Sequence, residues 1–218
     1  MTLTLGEEIM LLSLDDDSGA ARERQACQWA VAGAIVLELV LAGRVSVDCG
    51  RIAVVDTAST GVWLLDDRLR MIDAWAAGKS KPPKVTEWLT KNHRKVLDAT
   101  LESLRERGLV SQEQRKVLGL FPVRRFPEAD GSVERELRGR LEGLVLRHGE
   151  PDDRSAGLIA LLHGAKLHRL AFPDLPRKEV SPRMREIAEG RWAGESVSKA
   201  IQDMQAAMSA VALVTMRS

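Results

Sequence analysis

A chain of 218 residues with 44% hydrophobic and 29% charged residues carries enough apolar material for a sizeable core and too much for a disordered chain. Its formal net charge of +1 excludes the global basic field of a nucleic-acid binder, so any attraction to phosphate has to come from local clusters. Two cysteines without a CxxC spacing and four histidines off any helical metal spacing supply no framework for a disulfide, a metal or a cofactor, and they fit a reducing compartment.

In chain order, MTLTLGEEIMLLSLDDD lacks the basic stretch and small-residue cleavage site of a secretory signal. GEEIMLLSL is expected to form the first helix, closed by the turn formers of DDDSG at 15–19, which miss the residue pattern of a calcium loop. Residues 22–42 are apolar on nearly every face after Ala26, the pattern of a helix buried among others, with Gly33 and Ala34 permitting close neighbours. Glu38 stands alone in that run. It is expected to form a core ion pair with Arg44 or with an arginine of another helix; the alternative is a desolvated catalytic carboxylate.

RVSVDCGRIAVVD alternates on a two-residue period around Cys49 and Gly50 and reads as a short β-hairpin. Helical periodicity resumes in LLDDRLRMIDAW, breaks at Gly78, Pro82 and Pro83, and returns through VTEWLTKNHRKVLDATLESLRERG until Gly108. A second strand pair is expected within GLVSQEQRKVLGLF, joining LVS to KVLGLF across a polar turn at 112–115. Helices are then expected over 132–148, 153–171, 183–189 and 194–216. The apolar tract AAMSAVALVTM falls well short of the about 20 residues a spanning helix needs, so membrane contact is expected to be peripheral. The fold expected is mainly α: a single helical domain over 1–218, with a central helix bundle and small peripheral β-hairpins.

The chemistry-bearing motifs are sparse. There is no G-x-S-x-G, no phosphate-cradling glycine loop and no H-E-x-x-H, so an enzyme is not expected. The five tryptophans read as core anchors, except Trp63, which follows Gly61 and Val62 in a loop where an aromatic meets a partner or a membrane interface. Arginines cluster at Arg22 and Arg24, at Arg124 and Arg125, along Arg135, Arg138 and Arg140, and at Arg177, Lys178, Arg183 and Arg185. Each cluster alone reads as a solvated face; several sharing one face would attract anionic lipid at about 1 kcal/mol per basic residue. In PDDRSAGLIALLHGAKLHRLAF, Pro151, Asp152 and Asp153 suit a helix N-terminus and Arg154 opposes its dipole. Arg154 therefore either offers an anion site beside free N–H groups or pairs with Asp15, Glu23 or its flanking acids and pins two helices.

The segments LTLGEEIMLLSLDDDSG, AGAIVLELVLAGRVSV, LLDDRL, RGLVSQEQRKVLGLFPVRRFP and PDDRSAGLIALLHGAKLHRLAF, in that order and spacing, resemble the Golgi phosphoprotein 3 family over about residues 3–214. The resemblance implies a mainly helical, non-enzymatic adaptor, cytoplasmic and peripheral at the cytosolic membrane face. Such an adaptor binds phosphatidylinositol 4-phosphate on a flat basic face and recognises the cytosolic tails of membrane glycosyltransferases. In the family, as carried over here, the headgroup pocket draws a Trp and an Arg from the helix matching 22–42 and two basic residues from around the helix opening at Asp153. Those positions fall on Glu23, Ala32, Pro151 and Arg154, so only Arg154 keeps its type.

With Arg22 and Arg24 flanking Glu23, the candidate headgroup residues are Arg154, Arg22 and Arg24, and the expected partner is an anionic phospholipid surface, with no nucleic acid, metal or cofactor. The three changed positions leave an alternative open: a soluble interaction module that kept the scaffold and lost the lipid site. Such a module would meet partners or copies of itself through the 121–131 loop, FPVRRFPEADG, with Phe121 and Phe126 as anchors and Gly131 at its end.

Overall fold

The computed structural model describes residues 2–15, 19–117, 121–127, 129, 131–189 and 193–215, of which residues 114–117, 121–125 and 212–215 are described through their backbone. Among the described residues the architecture is mainly α, with nine helices and two small antiparallel hairpins. Helix α1 (Leu5–Ser13) is buried along its whole length, and Thr4 and Glu7 close its N-terminus as a reciprocal capping box. Helix α2 (Arg24–Leu41) follows, with Ala30 to Leu37 and Leu39 buried. By length and composition α2 resembles a membrane span, but its apolar residues are packed inside the molecule, as in a core helix.

The first hairpin joins β1 (Val45–Asp48) to β2 (Arg51–Val54), with Val45 opposite Val54 and Asp48 opposite Arg51. Its two turn residues, Cys49 and Gly50, both have positive φ, at 49° and 68°, which matches the twist of a tight hairpin. Helix α3 (Trp63–Ala76) and the long α4 (Val85–Glu106) come next, and α4 ends at Gly108, whose φ of 70° is the left-handed conformation that glycine favours. Leu109 N–H then bonds back to Leu104 O at 3.0 Å, tying the segment to the helix end.

The second hairpin differs from the expected one. Its strands are β3 (Glu113–Val117) and β4 (Phe121–Arg125), with Glu113 opposite Arg125 and Val117 opposite Phe121. LVS at 109–111 is instead consumed in closing α4 and in meeting Pro127, whose carbonyl accepts from Ser111 N–H at 3.0 Å. The expected turn residues at 113–115 therefore lie within a strand, and residues 118–120, between the two strands in sequence, are outside the described residues.

Helix α5 (Ser132–Val145) precedes α6 (Asp153–Gly164), the short α7 (His168–Ala171), α8 (Arg177–Ala188) and α9 (Glu195–Thr215). The single helix expected over 153–171 breaks because Lys166 takes φ 60°, a left-handed conformation that ends α6 without a glycine. The helix expected at 183–189 starts six residues earlier, at Arg177, because Pro182 sits inside it. Pro182 and Lys178 are both exposed, so the Lys178 carbonyl that loses its N–H partner is left to water.

Helices α2 and α6 pack antiparallel and close. A Cβ on Gly157 would lie 2.6 Å from Leu37 Cδ2, and one on Gly33 would lie 3.0 Å from Leu161 Cδ2 and 3.1 Å from Met204 Sδ of α9. This register decides which functional candidates can meet: Gly157 faces Leu37, so the N-terminus of α6 lies beside the C-terminal third of α2.

Candidate functional site: the two ends of the central helix

At the C-terminal end of α2, Glu38 and Arg154 form an ion pair across the α2–α6 seam. Arg154 also donates to the Leu3 carbonyl and lies 3.8 Å from Glu8. The second Glu38 oxygen accepts the Leu5 N–H at 2.7 Å, so this carboxylate joins α2, α6 and the start of α1. The expected core ion pair of Glu38 is thus present, with an arginine of another helix; Arg44 pairs with Asp56 at 2.7 Å instead.

Arg154 does not pair as foreseen with Asp15, Glu23 or its flanking acids, because the antiparallel register presents Glu38 to it. Asp152 caps α6, its carboxylate accepting from Ser155 N–H at 2.7 Å. Burial opposes the charged form of Asp152, but the Ser155 hydrogen bonds, aided by Arg140 and Arg154, outweigh it and hold the carboxyl below its usual range.

The same junction holds further paired charge. Arg140 meets Glu8 at 2.8 Å, and Arg107 meets Glu7, which also accepts from Ser103 Oγ at 2.8 Å. Burial pushes the Glu8 carboxyl up, against the lowering fields of Arg140 and Arg154. Arg138 pairs with Glu134 and donates to Leu170 O and Ala171 O, while Arg135 also has a partner. Arg138 and Arg140 of α5 and Arg154 of α6 therefore act as ties between helices, and a side chain 22% exposed at Arg154 is already held by protein groups.

The opposite end of α2 is different. Arg22, Glu23, Arg24 and Gln25 are all exposed. Glu23 occupies the N-cap position in a left-handed conformation with φ 49°, its side chain makes no capping hydrogen bond, and the first turn of the helix contains no acid. The first-turn N–H groups of an 18-residue helix and the positive end of its dipole thus emerge between two arginines. Among the described residues Arg22 makes one long side-chain bond, 3.4 Å, to Leu14 O. Arg24 pairs with Asp98 at 3.3 Å, with both side chains more than half exposed, an interaction worth less than about 1 kcal/mol and readily exchanged for another anion.

Arg154 therefore lies far from Arg22 and Arg24. From Arg24 to Glu38 the helix rises about 21 Å at 1.5 Å per residue, and Arg154 stands at the Glu38 level. The structure brings Arg22 and Arg24 together and leaves Arg154 out of their cluster. Trp63 also belongs to the far end: it is 46% exposed at the start of α3, and Val55, 65% exposed, bonds through its N–H to Arg44 O just beyond α2. Trp88 is a core anchor, and Trp29 stacks on His93 at 3.9 Å. Trp192 and the side chains of Arg124, Arg125 and Phe121 lie outside the described residues.

Two comparisons bear on this arrangement. Residues 5–204 match the family described as Golgi phosphoprotein 3 (GPP34). The chain belongs to the Golgi phosphoprotein 3 family. It is 31% identical over 205 aligned residues to Vacuolar protein sorting-associated protein 74 of Eremothecium gossypii, a match covering 76% of this chain and 60% of that protein. The chain thus spans about 60% of the length of that curated relative.

Within this Golgi phosphoprotein 3 member, the four positions matched from the family resemblance do not converge. Ala32 is fully buried, Pro151 is buried, and Arg154 is committed to Glu38, so of the four only Glu23 stands at the open end of α2. Sequence reasoning grouped Arg154 with Arg22 and Arg24 because sequence order alone does not reveal the antiparallel register. Arg169 escaped it altogether, although it is exposed on α7 beside His168. Among the described residues no three His, Cys, Asp or Glu side chains converge to hold a metal.

Proposed function

We propose that this Golgi phosphoprotein 3 member is a non-enzymatic adaptor, peripheral at the cytosolic face of a membrane, that docks on anionic phospholipid through the N-terminal end of α2. The observation that carries the reading is the N-terminus of α2, where the Glu23 side chain makes no capping hydrogen bond, between the exposed Arg22 and Arg24. Free N–H groups, the helix dipole and two guanidinium groups there all favour a phosphate. Phosphatidylinositol 4-phosphate is the candidate headgroup through the family. Arg154 acts in this reading as a structural tie that fixes α6 against α2. With Trp63 and Val55 about a helix length away, the opposite end stays clear of a membrane met by Arg22 and Arg24, and it offers apolar contact to cytosolic tails of membrane proteins.

The experiment is co-sedimentation with neutral, phosphatidylserine and phosphatidylinositol 4-phosphate vesicles at low and physiological salt. The wild type is expected to bind the anionic vesicles more weakly as salt rises, and Arg22→Gln/Arg24→Gln to lose that binding. Equal binding by wild type and variant would contradict the α2 site.

A second reading, a soluble interaction module, is favoured by Glu23, whose acid stands between the two arginines, and by the tie of Arg24 to Asp98. In that reading the 121–131 loop mediates partner or self-association. Phe126 is half-buried and its N–H bonds to Gly19 O at 2.8 Å, so the end of this loop is anchored to the body of the molecule. Absence of vesicle binding together with a concentration-dependent molecular size would select this reading.

A further inference from the structure

Where α6 ends, the chain turns through Lys166 into α7 and, after Pro176, into α8. That path gathers basic groups from three helices at one end of the molecule. His163 is faced by Arg185, Arg177 and His168; His168 is faced by Arg177, Arg169 and Glu23. Arg169, Arg177 and Arg185 are exposed, and among the described residues they have no ion-pair partner. Two acids of α8 are turned elsewhere: Glu186 pairs with Arg183, and Glu179 lines a cleft with Glu186, Arg183 and His148. Glu23 faces His168, and it stands between Arg22 and Arg24, so the cluster adjoins the open end of α2.

We propose that His163, His168, Arg169, Arg177 and Arg185 form a second docking surface for an anionic phospholipid membrane, whose grip strengthens as the medium acidifies. The proposal rests on the reading that the chain docks on anionic membranes, and it adds a surface and a regulation to that reading. The three arginines carry charge at every physiological pH, whereas the histidines gain it only in acid. In the free protein burial, then the positive fields of the neighbouring arginines, hold both imidazoles below their ordinary range, with Glu23 and a backbone hydrogen bond at Lys166 partly opposing this for His168. An apposed layer of phosphates reverses the sign of that field and favours the imidazolium form. Docking therefore takes up protons, and by linkage the affinity rises as pH falls.

The test is co-sedimentation with phosphatidylcholine vesicles containing phosphatidylserine, at about pH 7.5 and about pH 5.8, which bracket histidine titration. The wild type is expected to bind about ten-fold more tightly at the lower pH. His163→Gln/His168→Gln is expected to keep the higher-pH affinity and lose the increase. Arg169→Gln/Arg177→Gln/Arg185→Gln is expected to bind about a hundred-fold more weakly, roughly a factor of five for each basic residue near an anionic surface. Unchanged thermal unfolding at the higher pH would establish that each variant is folded.

A histidine variant that retains the acid increase, or an arginine variant that binds like wild type, overturns the proposal. Arg22→Gln/Arg24→Gln separates it from the α2 site. If that variant alone loses binding, this surface falls and the α2 site stands; if the α7–α8 arginine variant alone loses binding, the reverse holds. Absence of binding by the wild type sinks both.

Discussion

Arg154 of α6 and Glu38 of α2, 116 residues apart in sequence, are joined in one ion pair that also fixes the start of α1. The pair resolves two local anomalies together. A lone acid in an apolar helix and a lone arginine at a helix N-terminus are each unfavourable, and each supplies the other's missing partner. Because both are largely withdrawn from water, removing one leaves the other buried without a counter-charge. Arg154→Met is expected to lower stability by about 3 kcal/mol, and Glu38→Gln/Arg154→Met by less than the sum of the single changes. Urea unfolding of the three variants measures this; additive losses would show that the two side chains act independently.

Asp152 gives a pH dependence of defined sign. Its folded carboxyl titrates below the ordinary range, so the stability it contributes is complete above its unfolded pKa and is lost as pH falls through the folded one. Asp152→Ala is expected to cost about 1 kcal/mol at neutral pH, whereas Asp152→Asn retains most of the cap and removes its share of the acid dependence. Thermal unfolding from neutral pH into the acid range checks both; an Asn variant with the wild-type acid slope would place that dependence on other groups.

At the other end of α2, Glu23 holds a left-handed conformation that costs a side-chain-bearing residue about 1–2 kcal/mol, with φ at 49°. Glu23→Gly is expected to stabilise the fold by about 1 kcal/mol by relieving that conformation. The same change removes an acid from between Arg22 and Arg24, so binding to anionic vesicles is expected to rise about five-fold. A variant that gains stability without gaining affinity would remove Glu23 from the binding face.

Gly19 tests the join between the α1–α2 turn and the segment after β4. A Cβ there would lie 2.4 Å from Pro127 N and 2.7 Å from Phe126 C, both backbone atoms, and its φ is 60°. Gly19→Ala is expected to cost about 2–3 kcal/mol, since neither the backbone contact nor the conformation can relax without moving the chain. Denaturant unfolding decides it; a loss below the effect of an ordinary surface change would show the junction to be loose.

The helical framework was legible because apolar periodicity and glycine or proline punctuation agree along most of the chain. The helix expected at 22–42 lies at Arg24–Leu41, and the hairpin around Cys49 and Gly50 has the expected turn. The misread elements lacked that agreement. β3 is EQRKV, polar at four of five positions, so no alternation marked it. Lys166 ends α6 in a conformation usually signalled by glycine, and Pro182, which normally marks a boundary, lies inside α8 on its exposed side.

The site was legible only in its parts. Arg154, Glu38, Arg22 and Arg24 each stood out by local context, but which of them meet depends on α2 and α6 packing antiparallel. Arg177 and Arg185 were visible as part of a cluster, whereas their approach to His163 and His168 follows from the path through α7.

The most direct test of the α2 site is an NMR titration of the folded wild-type chain with the soluble headgroup of phosphatidylinositol 4-phosphate, following the backbone amides at the starts of α2 and α6. The account predicts saturable shifts of the Arg24, Gln25 and Ala26 amides, abolished by Arg22→Gln/Arg24→Gln, with the Arg154 and Ser155 amides unmoved. Shifts confined to Arg154 and Ser155, or none at Arg24, Gln25 and Ala26, would contradict it.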